Sequence, residues 1–259
     1  MKCPYDVPVQ LNNTREEKKN VPQMQRTNLL LTGMPKVMEY RESVFKVDDQ
    51  NSMQLKEDDI RRLVMFGAAQ CGKTATGNMI LGEAMFFSEY KTKQNLSGNV
   101  IHQTKDQARR FQKVIKIVKT PGISILDLAS EDKKAEVVRN INQGKQLLGT
   151  EPDAYLYVIS STKNLESETK VIDLIYRRMR NLMEKIILVF TGFDHFKDKN
   201  MTRFSFLDNL PQKLKSFIVD CGGENRVVFF DNSRSFYEDI ANIQVKKLFK
   251  VIDEMLGIT

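Results

Sequence analysis

The stretch Gly67-Ala68-Ala69-Gln70-Cys71-Gly72-Lys73-Thr74 fits the G-x-x-x-x-G-K-[ST] phosphate-binding pattern at every fixed position. The chemistry requires those residue types in that order. Gly67 and Gly72 let the backbone curl, so that consecutive N–H groups, over Ala69, Gln70, Cys71 and on to Ala75, face an anion together with the N-terminus of the following helix. Lys73 reaches the outer phosphates, and the Thr74 hydroxyl is placed to ligate Mg²⁺. The expected ligand is a nucleoside di- or triphosphate.

Such a loop works only between a strand and a helix. Leu63-Val64-Met65-Phe66 leads in as an apolar strand over 62–67, and Ala75-Thr76-Gly77-Asn78-Met79-Ile80-Leu81 leads out as a helix. From Asp59 onward, short apolar runs alternate with longer helical ones, the signature of a doubly wound α/β sheet. Strands are expected at 113–119, 154–160, 185–191 and 226–231, with a further one near 106–111 set antiparallel at an edge. Helices are expected at 131–148, where Gly144 is a weak point, at 165–183, and at 204–218 with an interruption at Pro211. A last helix carries Val245, Leu248, Phe249, Ile252, Met255 and Leu256 and stops at Gly257. The predicted architecture is a three-layer sandwich of the P-loop GTPase kind, with helices on both faces of a mostly parallel six-stranded sheet.

The segment from Gly72-Lys73-Thr74-Ala75-Thr76-Gly77-Asn78 to Ile80-Leu81-Gly82, followed by Phe86 or Phe87, resembles the GIMAP family of immunity-associated GTPases, relatives of septins and chloroplast Toc receptors. Thr120-Pro121-Gly122, Pro152-x-Ala154, Phe190-Thr191, Cys221-Gly222 and Arg226 with Phe230-Asp231-Asn232 extend the likeness over residues about 60 to 257. The resemblance implies a G domain over 59–259 that binds GTP or GDP with Mg²⁺. It also implies nucleotide-dependent self-association across the nucleotide face, and hence a nucleotide-gated assembly or scaffold module.

Two departures from the family pattern bear on turnover. The family has Asp-Thr-Pro-Gly after the third strand, where the Asp holds a Mg²⁺ water and the N–H of the position matching Gly122 meets the terminal phosphate. Lys119 replaces that acid, putting a cation where an anion would stabilise the metal. The family's Ser-Val-Thr is not preserved in the polar segment 88–105, so Thr92, Ser97 and Thr104 have no assigned switch role. Slow or absent GTP hydrolysis is the expectation.

The guanine reader should follow the run Ile186–Phe190, in Thr191-Gly192-Phe193-Asp194-His195. If Thr191 opens the motif, Asp194 accepts two hydrogen bonds from guanine and rejects adenine. In the other register His195 takes the acid's place and specificity collapses. Neither register supplies the lysine whose stem covers the base, although Phe193 offers a ring to stack on the purine. An ordinary turn capped by Asp194 is the alternative. Asn232 matches the last purine-contacting element.

With 259 residues the chain has room for one large domain and a tail. Residues 1–58, with Pro4, Pro8, Pro22, Pro35 and clustered charges, read as a largely disordered N-terminal arm in which Leu29-Leu30-Leu31 is the one apolar cluster. The net charge of +7 is spread among nearly as many acids, with no basic block to suggest a nucleic-acid partner. Three cysteines without metal or disulfide spacing point to reduced thiols and a cytoplasmic setting. Neither a secretory signal nor a transmembrane run is read. Two rival readings remain: a nucleotide-free interaction module on the same fold, and a nucleoside or small-molecule kinase, whose lid arginines Arg109-Arg110 or Arg177-Arg178 would have to supply.

Overall fold

Unbroken apolar runs can be strands only where both faces of a sheet are covered, and β-side-chain alternation then sends successive residues to opposite layers. The computed structural model has this arrangement. It describes residues 57–82, 104–124, 128–193, 195, 201–233 and 238–258, all within a unit running from Gln54 to Thr259. Six strands, β1 (Ile60–Gly67), β2 (Thr104–Arg110), β3 (Lys113–Lys119), β4 (Ala154–Ser160), β5 (Ile186–Thr191) and β6 (Val227–Phe230), form one sheet in the order β2-β3-β1-β4-β5-β6. Five are parallel, and β2 alone pairs antiparallel, at the edge. The expected mostly parallel six-stranded sheet is therefore present.

The helices are α1 (Lys73–Leu81), α2 (Glu131–Leu148), α3 (Glu168–Arg178), α4 (Arg203–Asp208), α5 (Gln212–Asp220) and α6 (Asp239–Leu256). Val64, Phe66, Tyr155, Tyr157, Leu188 and Phe190 turn to the layer of α2, α3, α4 and α5. Their neighbours in sequence, Leu63, Met65, Leu156, Val158, Ile187 and Val189, turn to the layer of α1 and α6. The strand period of two thus divides the core cleanly between the two faces.

Some boundaries differ from the sequence expectation for identifiable reasons. The edge strand ends at Arg110 rather than 111, because Phe111 and Gln112 form a two-residue hairpin turn with φ of 51° and 62°. Neither is a customary residue for that turn; Phe111 lies edge-on to Phe249, with ring centroids 6.3 Å apart. The helix expected over 165–183 is α-helical only from Glu168 to Arg178, then breaks at Met179 (φ −139°) into a tighter 3₁₀ stretch, Arg180–Lys185. Pro211 separates α4 from α5. On α2 the buried stripe is Val137, Ile141, Gly144 and Leu148, while Leu147 is exposed. Gly144 belongs to that stripe because a Cβ there would stand 3.1 Å from Val64 on β1. The expected arm (residues 1–56 of it), Phe86 and Phe87, residues 88–103 of the polar segment 88–105, and Asp194 lie outside the described residues.

At the end of the sheet remote from the phosphate loop, Arg61 on β1 is buried, and its guanidinium donates to Asp253 on α6 through Nε at 2.8 Å and Nη2 at 2.5 Å. Lys113 at the start of β3 pairs with the other Asp253 oxygen at 3.0 Å. One carboxylate thus fastens α6 across β1 and β3. Asp253→Ala leaves Arg61 charged in the interior. Because Asp253 is one-fifth exposed, the expected loss is at least about 2 kcal/mol, below the ~3–5 kcal/mol of a fully buried pair. Urea denaturation at neutral pH measures it.

Candidate functional site

The phosphate loop leaves the carboxyl end of β1 and enters α1, as a strand-loop-helix phosphate site must. Its shape is set by how closely other backbone approaches it. Gly67 has φ 145°, and a Cβ there would meet the Val158 carbonyl oxygen of β4 at 2.2 Å. Any other residue would force β1 and β4 apart. Gly122 approaches from the β3 side, where a Cβ would lie 2.7 Å from the Ala69 Cα. Backbone hydrogen bonds from Thr120 to Met65 (2.9 Å), from Ile123 to Gly67 (3.0 Å) and from Ala69 to Ile123 (2.8 Å) bind the chain after β3 against the loop. Gly122 and Ala69 are thus brought together.

Lys73 is buried, with 5% of its surface exposed, and folds back over the loop, its Nζ donating to the carbonyls of Gly67 (3.1 Å) and Ala68 (2.8 Å). Gln70 takes a left-handed φ of 60° and is exposed, as is Ala75 in the first turn of α1. Gly72 is the N-cap of α1 and offers no side chain to that helix end. Cys71 is buried, 3.9 Å from the Lys73 Nζ, and burial pushes its thiol above the ordinary value.

Thr191 and Asn232 serve the loop directly. The Thr191 hydroxyl, buried at the end of β5, donates to the Cys71 carbonyl at 2.7 Å, while the Thr191 carbonyl accepts from the Ser161 hydroxyl and N–H. Asn232, after β6, donates to the Thr76 hydroxyl at 3.0 Å and reaches the Gly72 carbonyl at 3.5 Å. The sequence places both near a base, but their bracing of the loop has no signal in the motif. Gly192 has φ 72° and backs on Thr162 and His195. The Phe193 ring stands in an aromatic cluster, 4.8 Å from Phe229 and 5.6 Å from Phe206. A purine would meet it only at its partly exposed side.

Beneath the loop lies a pair that sequence reasoning missed. Tyr157 on β4 donates its hydroxyl to Glu168, the first residue of α3, and both are buried. Burial raises the Glu168 carboxyl, opposed by the Tyr157 hydrogen bond and then by Lys163 and Lys73. Lys163 reaches the Ala69 carbonyl at 2.8 Å from the solvent side. The only sequence hint is position: Tyr157 lies in β4, and Glu168 opens the next helix.

Thr74, the expected metal ligand, has Lys119 beside it. The Lys119 Nζ lies 3.3 Å from the Thr74 hydroxyl oxygen, and the side chain is 4% exposed. A doubly charged ion about 4 Å from an ammonium is repelled by roughly 8 kcal/mol at an effective dielectric near 20, twice the ~4 kcal/mol of a unit pair. Among the described residues no group of three or more His, Cys, Asp or Glu side chains gathers to hold a metal. The ammonium of Lys119 against the Thr74 hydroxyl does not fit Mg²⁺ there.

Of the arginines that a kinase lid would call on, Arg110 and Arg178 are engaged elsewhere. Arg110 donates to the Met79 and Ile80 carbonyls, capping the end of α1 roughly 12 Å from the loop by helical rise. Arg178 pairs with Glu131 at 2.7 Å.

Sheet order, loop and helix together define a P-loop α/β domain of the GTPase class. The AIG1 family model matches residues 61–257, and the chain belongs to the AIG1 family. It is 30% identical to immune-associated nucleotide-binding protein 9 of Arabidopsis thaliana over 201 residues, 76% of this chain and 55% of that protein. It is 22% identical to mouse (Mus musculus) GTPase IMAP family member 8 over 222 residues, 85% of this chain and 31% of that one. The chain thus spans about half the length of the first relative and a third of the second. Among solved structures, Arabidopsis thaliana Toc33 in complex with Mg²⁺ and GMPPNP matches with a TM-score of 0.51 at 17% identity, over 77% of this chain and 85% of that one. A structure bearing on dimerization as important for the GTPase activity of the chloroplast translocon components atToc33 and psToc159 matches with a TM-score of 0.50 at 16% identity, over 78% and 84%. These two likenesses show the fold. Among the described residues no helix is long and apolar enough to cross a membrane.

Glu168→Gln keeps an acceptor for Tyr157 and removes the titration. A carboxyl whose folded pKa is raised contributes stability that is full below its unfolded value and is lost as pH rises through the folded one. The wild-type protein should lose stability relative to Glu168→Gln as pH rises from about 4 toward neutrality. Thermal unfolding across that range tests it, and a wild type that gains on the variant with rising pH refutes the assignment.

Proposed function

We propose that this chain binds guanine nucleotide, GTP or GDP, in the Gly67–Thr74 loop, and that it works as a nucleotide-gated assembly or scaffold module with slow or absent hydrolysis. The observation that carries this reading is the loop itself. Its curl passes close against Val158 and is held by Ile123 and Thr191, its helix end carries no side-chain cap, and Lys73 lies folded over it. Guanine as the base is supported by membership of the AIG1 family and by a relative named as a GTPase. In this reading Asp194 reads the base, with Gly192, Phe193 and Asn232 around it. Slow turnover is supported by Lys119, which stands where a metal-orienting acid is needed. Self-association is supported by the dimerization of the Toc components, and the buried, unpaired Cys71 and Cys221 are in keeping with a reducing cytoplasm.

Thermal unfolding with GTP, GDP and ATP tests the reading. A ligand at about a hundred times its dissociation constant stabilises by ~2.7 kcal/mol, so GTP and GDP should raise the Tm clearly and ATP should not. An equal ATP shift would remove the guanine preference, and no shift with any of them would favour a nucleotide-free interaction module. Lys73→Ala should weaken GDP binding at least roughly tenfold, about 1.4 kcal/mol, with the circular dichroism spectrum retained. Equal affinity in the variant means that the loop does not hold the phosphates.

A further inference from the structure

Three observations converge on the residue after Val118. Lys119 ends β3 between two partner strands, opposite Met65 of β1 and Thr104 of β2. The next residue is fixed by the Thr120 N–H bond to the Met65 carbonyl, so the backbone at 119 cannot shift away from the loop. The side chain is buried, and its ammonium donates to the hydroxyl oxygen that would have to give a lone pair to a metal. A hydroxyl accepting from an ammonium at 3.3 Å does not also ligate a divalent ion on that side.

We infer that Lys119 takes the place of the divalent cation, so that the nucleotide's polyphosphate is held directly by Lys73, Lys119 and the loop N–H groups, with Mg²⁺ left out. This rests on the guanine-nucleotide reading and specifies the form of ligand the site takes: the free nucleotide rather than its magnesium complex. A fixed ammonium supplies one positive charge and hydrogen bonds to phosphate oxygens, where a metal supplies two charges and rigid octahedral geometry. The site therefore neutralises the phosphates enough to bind them, without the oriented metal that speeds their cleavage. GTP and GDP should respond alike, neither gaining affinity when Mg²⁺ is added.

The experiment is titration of the full chain with fluorescent GDP and with GTP, in excess chelator and in millimolar Mg²⁺, alongside Mn²⁺ relaxation enhancement on the GDP-loaded protein. Affinity in chelator equal to or tighter than that in Mg²⁺, with no Mn²⁺ held, is the expected result. Affinity at least roughly tenfold tighter with Mg²⁺ would overturn it and leave nucleotide binding intact. Absence of binding under both conditions would overturn the nucleotide reading and this inference together. Lys119→Met, which keeps length and loses charge, should bind at least roughly tenfold more weakly in chelator. An unchanged affinity there argues for a lysine that only fills space. Lys119→Asp should reverse the metal response, binding tightly with Mg²⁺ and retaining Mn²⁺. If a variant does not fold, the wild-type comparison and the Mn²⁺ measurement decide alone.

Discussion

At Gly67 the loop passes so close to β4 that a single methyl group would collide with the Val158 carbonyl. Everything at the site depends on that approach. It brings the turn down onto the sheet, where the ends of β3, β5 and β6 can each hold it: Ile123 through the backbone, Thr191 through its hydroxyl and Asn232 through its amide. A loop braced on several sides has little conformational entropy left to lose when an anion arrives. Its hydrogen bonds are spent on its own shape, and the remaining N–H groups at the start of α1 are aimed rather than mobile.

The same sheet explains why the two layers do different work. Val64 and Phe66 face the layer of α2, α3 and α5, whose aromatic and aliphatic packing stacks Phe66 on Tyr157 at 5.0 Å. Leu63 and Met65 face α1 and α6, so the helix that begins the phosphate site rests on the helix that ends the chain. The carboxylate of Asp253 tightens that second layer at the far end of the strands. The phosphate loop lies at the carboxyl ends of the strands, where open α/β sheets place their ligands.

The sequence was most legible where backbone geometry dictates residue type. Glycine at 67 and 72, lysine at 73 and threonine at 74 have few substitutes, and apolar runs of period two read directly as buried strands. The edge strand ends one residue before its sequence suggests because Phe111 and Gln112 adopt left-handed turn conformations that their types do not advertise. The helix after β4 is shorter than its amphipathic pattern, which continues through Met179 and Leu182; both are buried although α-geometry stops at Arg178. The Tyr157–Glu168 pair and the bracing by Thr191 were not legible at all. Each joins residues brought together only by the fold, through side-chain bonds that leave no periodic trace. Lys119 was the reverse case: its identity was an anomaly in the sequence, and its place beside Thr74 gave the anomaly a physical meaning.

Cys71 stands in the middle of the loop with its sulfur buried, and that burial pushes its thiol above the ordinary value. Oxidants and electrophiles attack the thiolate, and they need a path to it. Burial of the sulfur and the raised thiol both disfavour that attack while the loop keeps its shape. A phosphate grip with a sulfur at its centre is thereby insulated from the redox state around it.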